Sequence, residues 1–429
     1  MTSPITKVAK TSSRDVIVIG GGPGGLAFAL ALHQLGVRCR IVEAVAEIKP
    51  MGVGINLLPH ANKVLAQLGV LEAAEAKSVA TQEVRFYTRN GQLVGITPCG
   101  RKAGYDVPQL SIHRGDLHSV LLDAVYNRLG PDAIKLGARC TGVTQHDGSV
   151  EVHLQGPDKN PLPSIRGSIA VACDGVHSAV RKAMHPIEAV PRYEGTINYR
   201  GVTRWKPFLT GGSMIYLGAY ETGKLVVYPI RDNIDADGRQ LINWVVEITR
   251  PDPQMVRDWN RAGRVDQFIS SFEHCSYDWL DIPAFLRAAD VIYEWPMVDQ
   301  EPLPFWTRGR VTLLGDAAHP MMPRGSNGAA QAIIDAVTLA KLLANCGSDV
   351  EGALRAYEAE RLPATRNVVL ANREISPDAI LRVVEERTGG KPFASIDEVL
   401  AQGEFDQWQL RYRKVAGFAR EDLLQRANA

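Results

Sequence analysis

The sequence has little that would support several common kinds of site. Its six cysteines are far apart and form no CxxC pair, which argues against a disulfide scaffold and a short-spaced zinc site. Its ten histidines include no HExxH pattern, so we expect no metal centre. With 48 basic and 47 acidic residues the formal net charge is +1, and we expect no nucleic-acid partner.

Long uncharged runs are also scarce. One run, residues 16–32, approaches the length of a membrane span, but glycines at five of the positions 20–25 would break a membrane helix. The N-terminal residues are polar and contain no apolar core of a signal peptide. We therefore expect a globular, cytoplasmic protein with reduced thiols and no membrane partner.

Hydrophobic patterning predicts the main elements. A β-branched run at residues 15–20 predicts a buried strand, residues 24–36 a helix, and residues 37–43 a second strand. This order predicts a parallel sheet. Alternating runs between about residues 190 and 295 predict an antiparallel sheet with one face buried and one exposed, and buried-strand character returns at residues 310–316.

The glycine cluster satisfies GxGxxG at Gly20, Gly22 and Gly25, between a strand and a helix. The first glycine permits a tight turn, the second lets the backbone approach a pyrophosphate, and the third lets the helix pack on the strand. Glu43 follows Gly25 by 18 residues, near the spacing of about 20 expected for an acid that binds ribose hydroxyls. The unit predicts a dinucleotide site without choosing between FAD and NAD.

Two later segments complete a set of three motifs. Residues 174–181 read DGVHSAVR, and residues 309–332 read GRVTLLGDAAHPMMPRGSNGAAQA. With GxGxxG, they closely resemble the fingerprints of class A flavoprotein aromatic monooxygenases, the family of p-hydroxybenzoate and salicylate hydroxylases. Four further stretches are similar to members that hydroxylate phenazine carboxylates: residues 51–56, 111–117, 199–203 and 295–299.

The resemblance implies a fold and a domain organisation. The expected fold is α/β, with a Rossmann-like FAD-binding domain interrupted by a mainly antiparallel β substrate domain and followed by a helical C-terminal region, as in p-hydroxybenzoate hydroxylase. The expected boundaries are residues 1–80, 106–185 and 296–375 for the FAD-binding domain, 81–105 and 186–295 for the substrate domain, and 376–429 for the helical region.

The resemblance also implies a reaction. NAD(P)H reduces FAD, O₂ then forms a flavin C4a-hydroperoxide, and an aromatic or N-heteroaromatic small molecule is hydroxylated. A homodimer is compatible with this family, and the choice between NADH and NADPH stays open. One alternative is a flavoprotein of the same fold that is not a hydroxylase, such as a reductase or an epoxidase. Another is an NAD-dependent dehydrogenase, against which Gly315-Asp316 argues.

The third motif predicts cofactor contacts. Asp316 follows a buried strand, and its carboxylate can accept hydrogen bonds from ribityl hydroxyls. A helix that begins near Asn327 and Gly328 can direct its amides towards the flavin edge where negative charge forms on reduction. The plainer alternatives are turns, helix caps and surface charges. The resemblance implies further FAD contacts at Gly54, Arg114, Asp174 and Gly315.

Candidate substrate residues come mainly from the inserted strands. We predict Arg200 and Tyr228 as catalytic-pocket residues, the first to pair with a carboxylate or stack on a ring, the second to bond a phenol or the flavin. Their alternatives are an arginine that crosses a domain boundary and a core tyrosine. Lys224 stands where several salicylate-type relatives have a histidine base, and lysine needs desolvation to act as one. Lys224 and Pro320 are predicted substrate contacts, and His319 is predicted to be structural.

Overall fold

The computed structural model describes residues 14–49, 52–188, 191–219, 222–250 and 261–423 of the 429. Met51, in one of the stretches used above, lies outside these residues. The strands are β1 (Asp15–Ile19), β2 (Arg38–Val42), β3 (Gly54–Leu57), β4 (Ser78–Thr81), β5 (Glu83–Tyr87), β6 (Leu93–Pro98), β7 (Gln109–His113), β8 (Ile134–Lys135), β9 (Arg139–His146), β10 (Ser149–Gln155), β11 (Pro161–Gly167), β12 (Ile169–Ala172), β13 (Arg192–Trp205), β14 (Ser213–Leu217), β15 (Lys224–Arg231), β16 (Gln240–Thr249), β17 (Ser276–Tyr277), β18 (Leu280–Asp281), β19 (Ile292–Asp299), β20 (Thr307–Arg308) and β21 (Val311–Leu313).

Helices separate and follow these strands. They are α1 (Pro23–Gln34), α2 (Pro59–Gln67), α3 (Leu71–Glu75), α4 (Arg114–Leu129), α5 (Ala179–Met184), α6 (Ile282–Arg287), α7 (Gly328–Asn345), α8 (Val350–Glu374), α9 (Ala379–Thr388) and α10 (Glu404–Val415).

A six-stranded sheet in the order β20-β21-β12-β1-β2-β8 forms the first half of the fold. All neighbours are parallel except β20, which pairs antiparallel with β21 at the edge. The apolar residues of β1 are buried, and α1 packs against both α4 and α7. This arrangement confirms the parallel sheet predicted from the first strand, turn and helix.

A seven-stranded sheet in the order β19-β13-β16-β15-β14-β5-β6 forms the second half. Its pairs are antiparallel apart from β14 with β5. The mainly antiparallel character predicted for the insertion is therefore confirmed. A smaller sheet, β3-β7-β4, packs against β15 and β16 and connects the two halves.

The expectation that one face of this sheet is exposed is wrong for its central strands. Every residue of β14 and all but the last of β15 are buried. Alternate residues belong to two different cores, with Leu225 and Val227 facing α6 and Val226 and Tyr228 facing α9. Both faces are covered because α9 and the residues after it pack on the side that alternation alone left open. The C-terminal region is helical as predicted, and the domain boundaries themselves stay a prediction.

Candidate active site

The ends of four parallel strands meet at one edge of the six-stranded sheet. Gly20 follows β1, Glu43 follows β2, Asp174 comes shortly after β12, and Gly315 follows β21 within two residues. Parallel strands present their carboxyl ends at the same edge, where ligands of open α/β sheets bind. All three sequence motifs therefore converge on one region.

The glycine turn has the geometry expected of a phosphate-binding turn. Gly20 has φ +106°, and a Cβ on Gly25 would lie 2.1 Å from the Gly20 carbonyl oxygen, so both positions require glycine. A Cβ on Gly22, by contrast, would meet no atom within 4 Å. Gly22 caps the N-terminus of α1, whose free amides attract anions. The open space above Gly22 thus fits a pyrophosphate.

Glu43 lies beside this turn. Its Oε2 accepts a hydrogen bond from the Gly21 amide at 2.7 Å, and its Oε1 accepts one from the Val45 amide at 2.9 Å. From α4, the Nε2 of His118 lies 2.6 Å from the Gly21 carbonyl oxygen. These contacts hold the predicted ribose acid against the turn. Carboxylate oxygens keep lone pairs beyond these two bonds and can accept further donors.

A cavity of about 370 Å³ continues from the strand ends, and its wall includes Arg114, Asp174, Gly175, Asp316 and Pro320. Burial raises the pKa of Asp174. Its Oδ2 accepts a hydrogen bond from the Ala179 amide at 3.1 Å, whereas its buried Oδ1 has no hydrogen-bond partner among the described residues. An orphaned carboxyl oxygen, an exposed aspartate and an arginine fit a ligand that carries hydroxyls and phosphates.

Arg181, the last residue of the second motif, supports the third motif. Its guanidinium is buried, and Nη1 donates to the Ala317 carbonyl at 3.1 Å. Its Nε donates to Glu188 at 2.9 Å. Arg181 therefore holds the backbone that follows Asp316 in place. The DGxxSxxR spacing placed Arg181 in the motif, but the sequence contained no signal for this partner.

A buried polar network lies behind the same segment. Asp335 of α7 accepts hydrogen bonds from the Gly315 amide at 3.2 Å and from Arg361 Nε at 2.7 Å, and its Oδ2 lies 2.5 Å from His319 Nε2. Burial opposes ionisation of Asp335, but His319 and Arg361 hold its pKa below the usual value. The Asp335 carboxylate therefore holds the Gly315 amide in place. His319 contacts the same carboxylate, as a structural residue would.

The helix after the motif begins where the sequence placed it. Gly328 is the first residue of α7, and Asn327 precedes it. Asn327 is buried, and its Nδ2 donates to the Gly325 carbonyl at 2.9 Å and to the Tyr412 hydroxyl at 2.8 Å. Ser326, a non-glycine residue, has φ +60°. Such strain is concentrated at functional sites.

A second cavity, of about 40 Å³, lies between this turn and the seven-stranded sheet. Val245 of β16 pairs with Arg200 of β13 on one side and with Val226 of β15 on the other. Tyr228 lies two residues after Val226 on β15, on the same face of the sheet. Val226 also pairs with Tyr216. The structure thus brings three of the predicted substrate-side residues to one cavity, whose wall includes Arg200, Tyr216, Lys224, Val226, Tyr228, Pro323 and Ser326. Pro320 lies at the larger cavity instead.

Arg200 has an unusual environment for a guanidinium. It lies over the Trp295 ring, with Cζ 5.0 Å from the ring centroid. Burial lowers its pKa. In the part of the chain that the structure describes, Arg200 forms no ion pair and no hydrogen bond, and its Nε is inaccessible to solvent. Glu247 is close enough to raise the pKa of Arg200 but not to bond it. A half-buried guanidinium without bonded acceptors is costly unless a ligand supplies them.

Tyr228 has a different environment. Its hydroxyl donates to the Gly54 carbonyl at 2.9 Å, while Asn243 Oδ1 accepts from the Gly54 amide at 2.7 Å. A Cβ on Gly54 would lie 2.7 Å from Asn243 Cβ. Gly54 is therefore the point where β3 touches the large sheet. Burial raises the pKa of Tyr228 to about 12, so its hydroxyl stays protonated at neutral pH.

Lys224 is buried and lies in an ion network. Its Nζ is 2.5 Å from Asp378 Oδ2 and 3.3 Å from Glu247 Oε2. An ammonium held between two carboxylates is stabilised in its charged form, which disfavours the role of a proton-accepting base. Asp378 and Tyr412 were not predicted, because both lie in the tail after residue 375, where no motif was recognised. The only sign in the sequence of an acidic partner was Lys224 itself, a charged residue within an apolar strand.

A search of known families matches residues 13–258 and 282–372 of this chain to the family described as FAD binding domain. The chain belongs to this family. Among its relatives, a phenazine 1,6-dicarboxylic acid hydroxylase, PhzS, of Lysobacter antibioticus is 40% identical over 364 residues, which is 84% of this chain and 89% of that protein.

Other FAD-binding-domain relatives are also aromatic hydroxylases. A 3-hydroxybenzoate 6-hydroxylase of Polaromonas naphthalenivorans is 32% identical over 371 residues, 84% of this chain and 86% of its own. A salicylate hydroxylase solved with its substrate superposes with a TM-score of 0.70 at 25% identity, covering 95% of this chain and 98% of the other. The resemblance to class A flavoprotein monooxygenases, their FAD cofactor and their α/β fold is confirmed.

Two absences accompany this family assignment. Within the described ranges, no three His, Cys, Asp or Glu side chains are grouped so as to hold a metal ion. None of the helices in the described part of the chain combines the length and apolarity that crossing a bilayer requires.

Removing the carboxylate of Asp316 tests the cofactor assignment. Asp316 is exposed at the large cavity, and hydrogen bonds to a charged group contribute about 1.5–3 kcal/mol each. We therefore expect Asp316→Ala to raise the dissociation constant for FAD about 10- to 100-fold, measured by flavin fluorescence during titration of apoprotein. Asp237→Ala, at an exposed loop, is the control. Unchanged FAD affinity in Asp316→Ala would contradict the ribityl assignment.

Proposed function

We propose that this protein is an FAD-dependent monooxygenase that uses NAD(P)H and O₂ to hydroxylate an aromatic or N-heteroaromatic carboxylate. The observation that carries the substrate class is the Arg200 guanidinium, which lies at a cavity and forms no ion pair or hydrogen bond with any described residue. Two of the relatives, a phenazine 1,6-dicarboxylic acid hydroxylase and a 3-hydroxybenzoate 6-hydroxylase, support the same class.

The cofactor would be held along the edge of the six-stranded sheet. Gly22 and the α1 amides would face its pyrophosphate, Glu43 its adenosine ribose, and Asp316 its ribityl chain. Arg114 and Asp174 line the same cavity. When bound, FAD supplies the redox chemistry between NAD(P)H, O₂ and the aromatic ring. Overall, one oxygen atom enters the product and the other leaves as water.

The substrate would lie between the large sheet and the turn before α7. Arg200 would orient it by a paired, charge-assisted contact to its carboxylate. Trp295 keeps the guanidinium in position. The apolar wall at Val226 and Val245 excludes water from the reacting ring. The protonated Tyr228 hydroxyl holds the Gly54 carbonyl, so its proposed contribution is to fix the boundary between the two sheets. Cytoplasmic location and a homodimer stay predictions.

The test is a panel of carboxylated and uncarboxylated ring compounds, such as phenazine-1-carboxylate and phenazine. We expect carboxylates to stimulate NAD(P)H consumption and to yield a product with one atom of labelled O₂. A reductase of the same fold would consume NAD(P)H without oxygenating the product. A dehydrogenase without flavin would be purified colourless. No stimulation by any ring compound would remove the main support for the proposal.

Replacing Arg200 tests whether this residue binds the substrate carboxylate or only supports the fold. Truncating one partner of a buried charge pair costs about 2–5 kcal/mol, so Arg200→Met should raise the KM for carboxylated substrates about 30-fold or more. Uncarboxylated rings should be nearly unaffected. Arg204→Met, exposed on the same strand, is the matched control. An equal loss for charged and uncharged rings would show that Arg200 acts only through folding.

A further inference from the structure

Five charged residues of alternating sign form a connected row, and four of them line the cavity that contains Arg200. Glu194 Oε2 lies 2.7 Å from Arg324 Nη1, and Arg324 Nη2 lies 4.0 Å from Glu247 Oε2. Glu247 and Asp378 then flank Lys224 at 3.3 and 2.5 Å. Of these five side chains, that of Glu194 is 12% exposed, and each of the other four is at most 6% exposed.

This chain of charges joins three separate parts of the molecule. Glu194, Glu247 and Lys224 belong to the large sheet, Arg324 belongs to the turn before α7, and Asp378 precedes α9. The residues 376–418, here called the C-terminal segment, begin after the family match ends at residue 372. The segment therefore reaches a buried part of the site from outside the matched domain.

The C-terminal segment also contributes walls to the cavities. Asp378 lines the cavity that contains Arg200. Pro377, Gln409 and Tyr412 line an adjacent cavity of about 60 Å³, which shares the Tyr216 side chain with the first. The segment is thus part of the surface that a ring compound would touch.

Further polar contacts fix the inside of the segment and its contact with the cofactor turn. Trp408 Nε1 donates to the Ser376 carbonyl at 3.1 Å, and Gln409 Nε2 donates to the Pro377 carbonyl at 2.9 Å. The Tyr412 hydroxyl accepts a hydrogen bond from Asn327 Nδ2 of that turn at 2.8 Å and donates one to Asn372 Oδ1 of α8 at 2.7 Å. Only the contact of Asp378 with Lys224 places a full charge of the segment against the large sheet at a buried position among the described residues. Its loss would remove the shorter of the two ion pairs of Lys224, which is costly at a buried position.

We propose that the Lys224–Asp378 ion pair holds the C-terminal segment as a wall of the substrate cavity, which makes Asp378 a positioning residue for the ring substrate. The identity of that substrate rests on the proposed function. The attachment of the segment does not, because it is a property of the protein alone.

The test uses full-length, FAD-loaded protein in four variants: Asp378→Asn, Lys224→Met, the double variant that combines them, and Glu404→Gln as control. Glu404 pairs with Arg387 at an exposed site within the same segment, where ion pairs contribute little. The first measurement is amide hydrogen exchange in α9 and α10, with β1 as an internal reference. The second is the KM for phenazine-1-carboxylate beside the dissociation constant for FAD.

We expect each single variant to exchange at least about tenfold faster in α9, because Asp378→Asn removes the shorter ion pair of Lys224 and Lys224→Met removes the cation between Glu247 and Asp378. The double variant should exchange faster than the wild type but more slowly than either single variant. The control should stay within about twofold. KM for the ring carboxylate should rise about fivefold or more in Asp378→Asn, while FAD affinity changes less than about twofold.

Several outcomes would overturn the proposal. Wild-type exchange in α9 of both single variants means that the pair does not hold the segment. If a single variant fails to fold, wild-type exchange in the double variant leads to the same conclusion. Faster exchange with an unchanged KM means that the segment is attached there but is not a wall. If no ring compound is hydroxylated, the proposed function fails while the exchange result still decides the attachment.

Discussion

Replacement of Gly22 by alanine is expected to give a folded protein that has lost most of its affinity for FAD. The added Cβ meets no protein atom within 4 Å, so the apoprotein gains no clash. The methyl group instead occupies the space above the N-terminus of α1 that a pyrophosphate needs. Overpacking costs about 1–3 kcal/mol, which corresponds to a rise of roughly 5- to 150-fold in the dissociation constant.

Gly25 provides the contrast, since it stands in the same turn. A Cβ there would lie 2.1 Å from the Gly20 carbonyl oxygen, and backbone cannot give way as a side-chain tip can. We expect Gly25→Ala to lower the melting temperature of the apoprotein sharply, and Gly22→Ala to leave it nearly unchanged. Titration with FAD completes the comparison. Wild-type affinity in Gly22→Ala would refute the pyrophosphate assignment.

The FAD-binding half was predictable because its signals are local in sequence. A β-branched run, a glycine turn and a helix follow one another within residues 15–36, and the parallel sheet follows from that order. Parallel strands then bring Asp174 and Asp316 to the same edge as Gly22 without further information. The convergence of the three motifs in the structure is a consequence of that topology.

The substrate half was less predictable because its partners are distant in sequence. Tyr228 bonds Gly54, 174 positions away, and Lys224 pairs with Asp378 in the tail. Alternation along β15 identified which residues share a face, but not that the second face would be covered by α9. The residues after 375 carry no motif, and their packing against Tyr216 is determined by tertiary contacts, so it could not be predicted from the sequence.

The chemical reading of Lys224 changed for the same reason. The family resemblance placed Lys224 where several relatives have a histidine base, a role that requires loss of the proton, and Lys224 was predicted as a substrate contact. The structure surrounds the ammonium with Glu247 and Asp378, and opposite charges favour the protonated form. Arg200 shows the reverse case. The two cations lie on β13 and β15, which both pair with β16, yet of the two only Lys224 forms an ion pair with a described residue.

The largest effect on stability is expected at Asp335, which three donors share. Asp335→Asn keeps an acceptor for the Gly315 amide but leaves Arg361 buried without its anion. Breaking a buried pair costs about 3–5 kcal/mol, a large fraction of the roughly 5–15 kcal/mol that stabilise a domain. We expect that loss in the free energy of unfolding measured in urea, with weaker FAD retention because Gly315 is less firmly held. Glu351→Gln, at a partly exposed ion pair, should lose less than about 1 kcal/mol.

The lowered pKa of Asp335 also predicts how the stability of the protein changes with pH. His319 and Arg361 hold the pKa of Asp335 below its usual value, so ionised Asp335 binds its proton less readily in the folded state than in the unfolded state. Its contribution is therefore fully present above the unfolded pKa of about 3.9 and declines as pH falls through the folded pKa. The wild type should lose stability on acidification below about pH 4 more steeply than Asp335→Asn. Parallel acid unfolding curves for the two proteins would contradict the assignment, because they would mean that the Asp335 charge does not support the turn that presents Gly315 and Asp316.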